Sequence, residues 1–334
     1  MKIMYVHKDI NTSVNAGGIN TVYLKHIEEL LKLKQEIIAV TSRDGNWELG
    51  AKRYVVSSDK SFREDEIKEI INYEKPDIVD VFSWGAELHN YVNEKNKPKI
   101  IMRADIPMKY YGLKPLDEEM ARKCDEVVSI SRWCDFEWSS ALGKSTVIIP
   151  HASDDVDVIN YNKQRNSVLW VGKATDVKGF DLLFNLPEEF FKEFNLTVVC
   201  AKTKYTDNSL FERLENLGVT IKENLSDNEY KKLLSEVEFV LSTARREGFC
   251  IAVLEAMKNG AIPVVPYWIG GTLDFVNNNN GIIYKDLNDC YNQMKNLQNK
   301  EMYMCNAIDD ASYYTWENVA KKSLNLYRKV LKWN

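Results

Sequence analysis

The chain has 334 residues, 45% of them hydrophobic and 28% charged, the composition of a soluble globular protein of about two domains. A net charge of −5 and the lack of an aromatic and arginine RNA-type motif argue against nucleic acid as a partner. The six cysteines are scattered without a C-x-x-C and the four histidines show no metal-ligand spacing, so reduced thiols are expected and no metal.

Residues 2–6 read as a strand, with no apolar signal core before them. No apolar run approaches the roughly 20 residues of a membrane span. A cytoplasmic protein is expected, at most peripheral at a membrane. The loop that follows ends in Gly17-Gly18, and 19–34 has helical apolar spacing. Strand, glycine loop and helix open a doubly wound domain, and paired glycines let backbone approach a phosphate.

The alternation continues. Strands are expected at 36–41, 54–56, 78–82, 99–103, 126–130 and 146–149, and helices at 62–73, 87–93, 116–123 and 132–141. That is one α/β domain with a parallel sheet over 1–154. A polar linker is expected over 155–166. Its Asp155-Val156-Asp157 is read as ordinary linker chemistry rather than a metal site. Met108, Lys109, Tyr110 and Tyr111 read as a loop packing its own aromatics.

A second α/β domain is expected over 167–312. Its first strand, 167–171, ends in Gly172-Lys173, and Asp176 to Gly179 opens a helix running to 183. Lys173 and Lys178 thus flank a strand-to-helix junction, where cations and helix amides suit a diphosphate. Strands at 196–200, 219–221, 239–241, 261–266 and 281–284 alternate with helices at 210–217, 228–234 and 286–297. A last amphipathic helix, within 313–334, is expected to return to the first domain.

The most informative stretch is 245–257. Glu247 follows a strand and Glu255 lies eight positions on, with Gly248, Phe249 and Cys250 starting the helix between them. In open α/β sheets, ligands bind at the carboxyl ends of strands. The amides of 248–250 would meet an anion or a sugar hydroxyl. A second, buried acid at 255 needs a partner.

Taken in order, these segments resemble the retaining, nucleotide-sugar-dependent glycosyltransferases of family four, with the GT-B fold. Val171-Gly172-Lys173 with Lys178-Gly179 is similar to that family's V-G-R … K-G element. Glu247-Gly248-Phe249-Cys250 and Leu254-Glu255-Ala256-Met257 resemble its E-x7-E core, followed in order by Gly260 to Val265, Gly270-Gly271 and Gly281-Ile282-Ile283. In the first domain, Gly17-Gly18, 129–133 and Ile149-Pro150 match in place.

The resemblance implies two Rossmann-like domains facing a central cleft. It implies a nucleoside-diphosphate sugar as donor substrate, no cofactor and no metal. The acceptor would be a glycan, a lipid-linked sugar or a protein. Glu247 would hold donor-sugar hydroxyls and Glu255, beside Leu254, the ribose. Lys173 and Lys178 would neutralise the diphosphate, Gly17-Gly18 would close over it, and the base would lie near Asn224 and Leu225. Three positions depart from the family. Lys173 replaces an arginine, Cys250 replaces a glycine, and Arg103-Ala104-Asp105 stands where a histidine is usual. Either Arg103 or Asp105 is then a candidate for acceptor-side duty, with Asp105 the catalytic candidate. His151 reads as a loop histidine, and Cys250 as a small buried filler rather than a reactive thiol. A nucleotide-sugar epimerase of similar fold and a non-catalytic nucleotide-sugar-binding protein are the alternative readings.

Overall fold

A computed structural model describes residues 1–7, 10, 18–42, 44–45, 47–57, 60–82, 88–105, 115–156, 158–201 and 208–332. Gly17, Asp157 and the Met108–Tyr111 segment lie outside the described residues. The chain divides into two compact units. One comprises Met1–Ala152 with Tyr314–Asn334, the other Ser153–Tyr313.

The first unit is built from β1 (Lys2–Val6), α1 (Gly18–Lys32), β2 (Glu36–Thr41), β3 (Lys52–Val55), α2 (Lys60–Glu74), β4 (Ile78–Phe82), β5 (Lys99–Ala104), α3 (Pro115–Lys123), β6 (Glu126–Ser129), α4 (Arg132–Leu142) and β7 (Val147–Ile148). The seven strands are all parallel, in the order β3-β2-β1-β4-β5-β6-β7. Strands buried on both faces need apolar runs, which β1 and β2 supply, while β4 and β5 are apolar except for Asp80 and for Lys99 and Arg103. The helices end where local chemistry dictates. Ser131 caps α4 by accepting from the Cys134 amide at 3.1 Å, and Gly143 terminates it in the left-handed region.

The second unit holds β8 (Gln164–Lys173), α5 (Glu188–Glu193), β9 (Asn195–Ala201), α6 (Asn208–Asn216), β10 (Thr220–Lys222), α7 (Asp227–Glu236), β11 (Val237–Leu241), α8 (Ile251–Lys258), β12 (Ile262–Pro266), β13 (Ile282–Tyr284), α9 (Leu287–Asn296) and α10 (Lys300–Ser312). Its six strands are also parallel, in the order β10-β9-β8-β11-β12-β13. Trp170, Phe190, Phe239, Leu241, Val264 and Tyr284 are among the buried side chains of its core.

The chain then returns to the first unit through α11 (Trp316–Leu331), which packs on α1. Ser323 and Tyr327, four apart on its buried face, meet a buried charge pair. Arg103 Nε donates to Asp80 Oδ1 at 2.9 Å, and its Nη2 donates to Ser323 Oγ at 3.0 Å and to Tyr327 Oη at 3.1 Å. Tyr327 donates to Asp80 Oδ2 at 2.6 Å, and its hydroxyl lies 2.9 Å from that of Tyr5. A buried ion pair needs such extra hydrogen bonds to offset desolvation, and here α11 brings them to β4 and β5.

Several segments differ from the sequence expectation. The helix expected to open at 176 is a turn followed by a 3-10 helix, Phe180–Asn185, because Gly179 breaks the backbone with φ 64°. The helix after Glu247 begins at Ile251, three residues late. Of the helix expected at 87–93, a 3-10 turn at Tyr91–Asn93 forms. The strand β8 starts inside the expected linker. The helices α5 and α10 had no clear apolar periodicity to reveal them. Glu188–Glu193 is too short to show one, and the core contacts of α10 include small Ala307 and Ala311.

Candidate functional site

In the second unit the sheet order reverses at β8 and β11. These strands are neighbours, but β8 continues to β9 on one side and β11 to β12 on the other. Such a switch point is where open α/β sheets bind ligands. Lys173 ends β8 and Lys178 follows it, and Glu247 follows β11.

Two loops are bolted together there. Trp170 Nε1 donates to Thr243 Oγ1 at 2.9 Å, and Thr243 Oγ1 donates to the Gly179 carbonyl at 2.8 Å. The Arg245 amide donates to the Val177 carbonyl at 3.0 Å, and its guanidinium grips Asp181 with two bonds of 2.7 Å. Gly179 is required by this closeness. A Cβ there would lie 1.9 Å from the Thr243 carbonyl oxygen. The Glu247 amide donates to the Ile269 carbonyl at 2.8 Å, and its own carbonyl accepts from Gly271 at 2.9 Å. The result is that Lys178 and Glu247 form an ion pair, with Lys178 Nζ on Glu247 Oε1. A small pocket lined by Trp170, Lys178, Glu247, Cys250 and Val253 adjoins it. Lys173 is exposed at the end of β8.

Gly248, Phe249 and Cys250 form a loop ahead of α8 rather than its first turn. Phe249 is buried against Phe275, with ring centroids 5.0 Å apart, so its side chain is core. Leu254 is fully buried and its amide donates within the helix to the Cys250 carbonyl, so it packs the site instead of touching a ligand. Cys250 caps α8 with φ 52° and ψ 73°. That left-handed conformation explains why the resembled family uses glycine here. Burial, with Glu247 nearby, pushes the Cys250 thiol up to about 12, which leaves it unreactive.

Glu255, two turns into the stretch, is half-buried and has a hydrogen-bond partner. Tyr230 on α7 donates to its Oε2 at 3.0 Å. Burial, opposed by this bond, pushes the Glu255 carboxyl up to about 7. Sequence reading missed Tyr230, because nothing in a lone tyrosine 25 positions away signals the contact. Asn224 is exposed with φ 52° and Leu225 is half-buried, directly before the capping box Ser226–Glu229 that opens α7. Asp155 is bound to Lys258 at 2.8 Å, and no group of three metal-ligating side chains occurs among the described residues.

In the first unit Gly18 begins α1. Arg103 is 4% exposed, and its Nε and Nη2 are taken by Asp80 and by Ser323 and Tyr327 of α11, which gives it a structural role. Asp105, just past β5, is different. It is 6% exposed, and neither carboxylate oxygen has a hydrogen-bond partner among the described residues. His151 Nε2 lies 3.9 Å from its Oδ2, beyond hydrogen-bond reach. Burial pushes Asp105 up to about 7 and lowers His151 to about 3, so that both are neutral in mildly acidic solution. His151 thus lies in the loop after β7, buried beside Asp105.

Residues 153–294 match the family described as "Glycosyl transferases group 1". An uncharacterized glycosyltransferase of Methanocaldococcus jannaschii is 27% identical over 182 residues, 51% of this chain and 46% of that relative. The chain therefore aligns with about half the length of the curated relative it matches. Among solved structures, sucrose-phosphate synthase of Thermosynechococcus elongatus superposes with a TM-score of 0.80 at 14% identity, covering 100% of both chains. Anabaena HepE, solved with UDP and glucose, superposes at 0.75 with 14% identity, covering 98% of this chain and 100% of that one. At these identities the structural likeness shows the fold. It consists of two parallel-sheet Rossmann-like domains of the kind found in GT-B glycosyltransferases. Among the described residues no helix is long and apolar enough to cross a membrane.

Proposed function

We propose that the protein is a retaining glycosyltransferase that moves a sugar from a nucleoside-diphosphate sugar to a hydroxyl of a glycan, lipid-linked or protein acceptor, without a metal. The carrying observation is the Lys178–Glu247 ion pair at the switch point of the second sheet. An acid and a cation held in one place suit a donor with a polyhydroxylated sugar on one side and a diphosphate on the other. In this reading, Glu247 accepts from sugar hydroxyls. Lys178 turns from Glu247 to the diphosphate, and Lys173 joins it. Negative charge grows on the departing diphosphate in the transition state, so fixed cations there lower the barrier. The departing phosphate oxygen takes the acceptor's proton. Glu255 accepts from the ribose, and Asn224 and Leu225 border the base. Asp105 serves the acceptor side.

The family match over 153–294 and the UDP complex of a structural relative support a nucleotide-sugar donor. Incubation with UDP-, GDP- and ADP-sugars in the absence of acceptor tests the reading. Slow release of nucleoside diphosphate is expected. An isomerised donor would instead indicate an epimerase, and binding without turnover a non-catalytic nucleotide-sugar protein.

A further inference from the structure

Glu255 is held by a residue that no motif of the sequence singles out. Tyr230 sits on the first turn of α7, five residues after Leu225. Its backbone is well fixed. The Ser226–Glu229 capping box closes that turn, and the Tyr230 amide donates to the Ser226 carbonyl at 2.9 Å. Its hydroxyl crosses from α7 to α8 and donates to Glu255 Oε2 at 3.0 Å. Glu255 lies on α8 between the buried Leu254 and Ala256. Among the described residues, no protein donor reaches Glu255 Oε1.

We propose that Tyr230 is the positioning residue of the nucleotide site: its hydroxyl holds Glu255 Oε2 and orients the acid, leaving Oε1 to accept from a ribose diol. This rests on the glycosyltransferase reading above and deepens it. One segment, residues 224–230, then serves two parts of the nucleotide. Asn224 and Leu225 border the base, and Tyr230 sets the acid that takes the sugar.

The chemistry requires such a device. A carboxylate accepts from two hydroxyls at once, whereas the protonated acid spends one oxygen as a donor. Burial and Asp154 push Glu255 towards the protonated form, while Tyr230, Lys231 and Lys258 favour the charged one. The Cys250 thiol also lies close, and stays protonated. Of these, Tyr230 alone contacts the carboxylate through a hydrogen bond. Removing its hydroxyl leaves Glu255 half-buried with a weaker hold on its charge.

The test is calorimetric binding between pH 5.5 and 8.5, using whichever of UDP-glucose, GDP-mannose and ADP-glucose binds most tightly. The phosphodiester groups of these donors do not titrate in that range, and the second unit contains no histidine. For the wild type, affinity is expected to rise with pH through a midpoint near 7. Tyr230→Phe should move the midpoint up by about one unit, weakening binding about tenfold at pH 6 and little at pH 8.5. Glu255→Gln should bind weakly and lose this component of the pH dependence. Site-specific 3-fluorotyrosine at 230, which keeps the ring and strengthens the donor, should move the midpoint down. Loss of affinity in Tyr230→Phe that is equal at every pH, or no loss, overturns the positioning role alone. Wild-type affinity in Glu255→Gln, or no binding of any of the three donors, overturns the nucleotide reading and the role of Tyr230 with it.

Discussion

Lys178 and Glu247 are 69 positions apart, yet their side chains form an ion pair at the carboxyl end of one sheet. Each reaches it from a loop that follows a central strand, and Thr243 and Arg245 tie the two loops together. The pair keeps the cation and the acid poised where a charged, hydroxyl-rich ligand would displace one from the other. Glu247→Ala should abolish sugar transfer while leaving thermal stabilisation by nucleoside diphosphates largely intact. Retained turnover in that variant would remove Glu247 from the sugar site. Ligand binding to the folded state raises stability by mass action, so the same scan over UDP, GDP and ADP sugars ranks the donors.

The clamp on Lys178 can be tested without touching a charged group. Gly179→Ala places a methyl against the Thr243 carbonyl in a left-handed backbone position, and should destabilise the fold by about 3 kcal/mol or more. Thr243→Val removes the bonds to Trp170 and Gly179, and should lower stability by about 1–3 kcal/mol. Denaturant melts measure both. Turnover in Thr243→Val should fall more than its folded fraction does, because Lys178 loses its fixed approach.

Asp105 gives a pH signature. Its folded pKa, about 7, lies above the ordinary carboxyl value of 3.8, so the folded state keeps a proton that the unfolded chain has released. The stability tied to this group is therefore fully present below about pH 4 and is lost as pH rises through about 7. Asp105→Asn, neutral at every pH, should be stabilised relative to wild type more at pH 8 than at pH 5, by about 2–3 kcal/mol. Chemical denaturation at the two pH values checks this. An equal difference at both would mean that Asp105 is ionised in the folded protein throughout.

Cys250 carries a backbone consequence. Glycine adopts its left-handed conformation freely, while a β-branched residue does not. Cys250→Gly should match wild-type stability within about 1 kcal/mol, since relief of strain offsets lost packing. Cys250→Val should lose about 2 kcal/mol or more. Thiol-reagent kinetics on the native protein should show Cys305, which is exposed, reacting fast, and Cys124 and Cys250 slow, both thiols being raised to about 12 by burial. Fast labelling that survives Cys305→Ser would contradict the buried, protonated thiol at 250.

The anchoring of α11 is also measurable. Tyr327→Phe removes one hydrogen bond from each of Asp80 and Arg103, and should destabilise the protein by about 1–3 kcal/mol. Arg103→Ala should cost about 3–5 kcal/mol by stranding Asp80. If Arg103→Ala instead kept full stability while losing turnover, Arg103 would belong to the acceptor side after all.

The strands were legible because they are local. The middles of runs such as 2–6, 36–41 and 99–103 are continuously apolar (Ile3–Val6, Ile37–Val40, Ile100–Met102), as parallel strands covered on both faces require. The alternation of such runs with helical spacing determined an α/β fold, and the order of Lys173, Lys178, Glu247 and Glu255 after strand ends marked the candidate site. Short or weakly patterned pieces such as α5 and α10 were not legible, since a few turns with small core contacts leave no period to read. Side-chain partners were decided by the tertiary structure. Arg103 and Asp105 are two residues apart and looked equivalent in sequence. In a strand, residues two apart point to one face, but Asp105 lies beyond the end of β5, and only packing settled their fates. Arg103 was drawn to Asp80 and the returning α11, leaving Asp105 buried with no hydrogen-bond partner for either oxygen among the described residues. Likewise, Glu255 advertised a need for a partner, but only the packing of α7 on α8 supplied Tyr230. Periodicity is set by neighbours in the chain, whereas the satisfaction of a buried charge depends on groups that the chain brings back from far away.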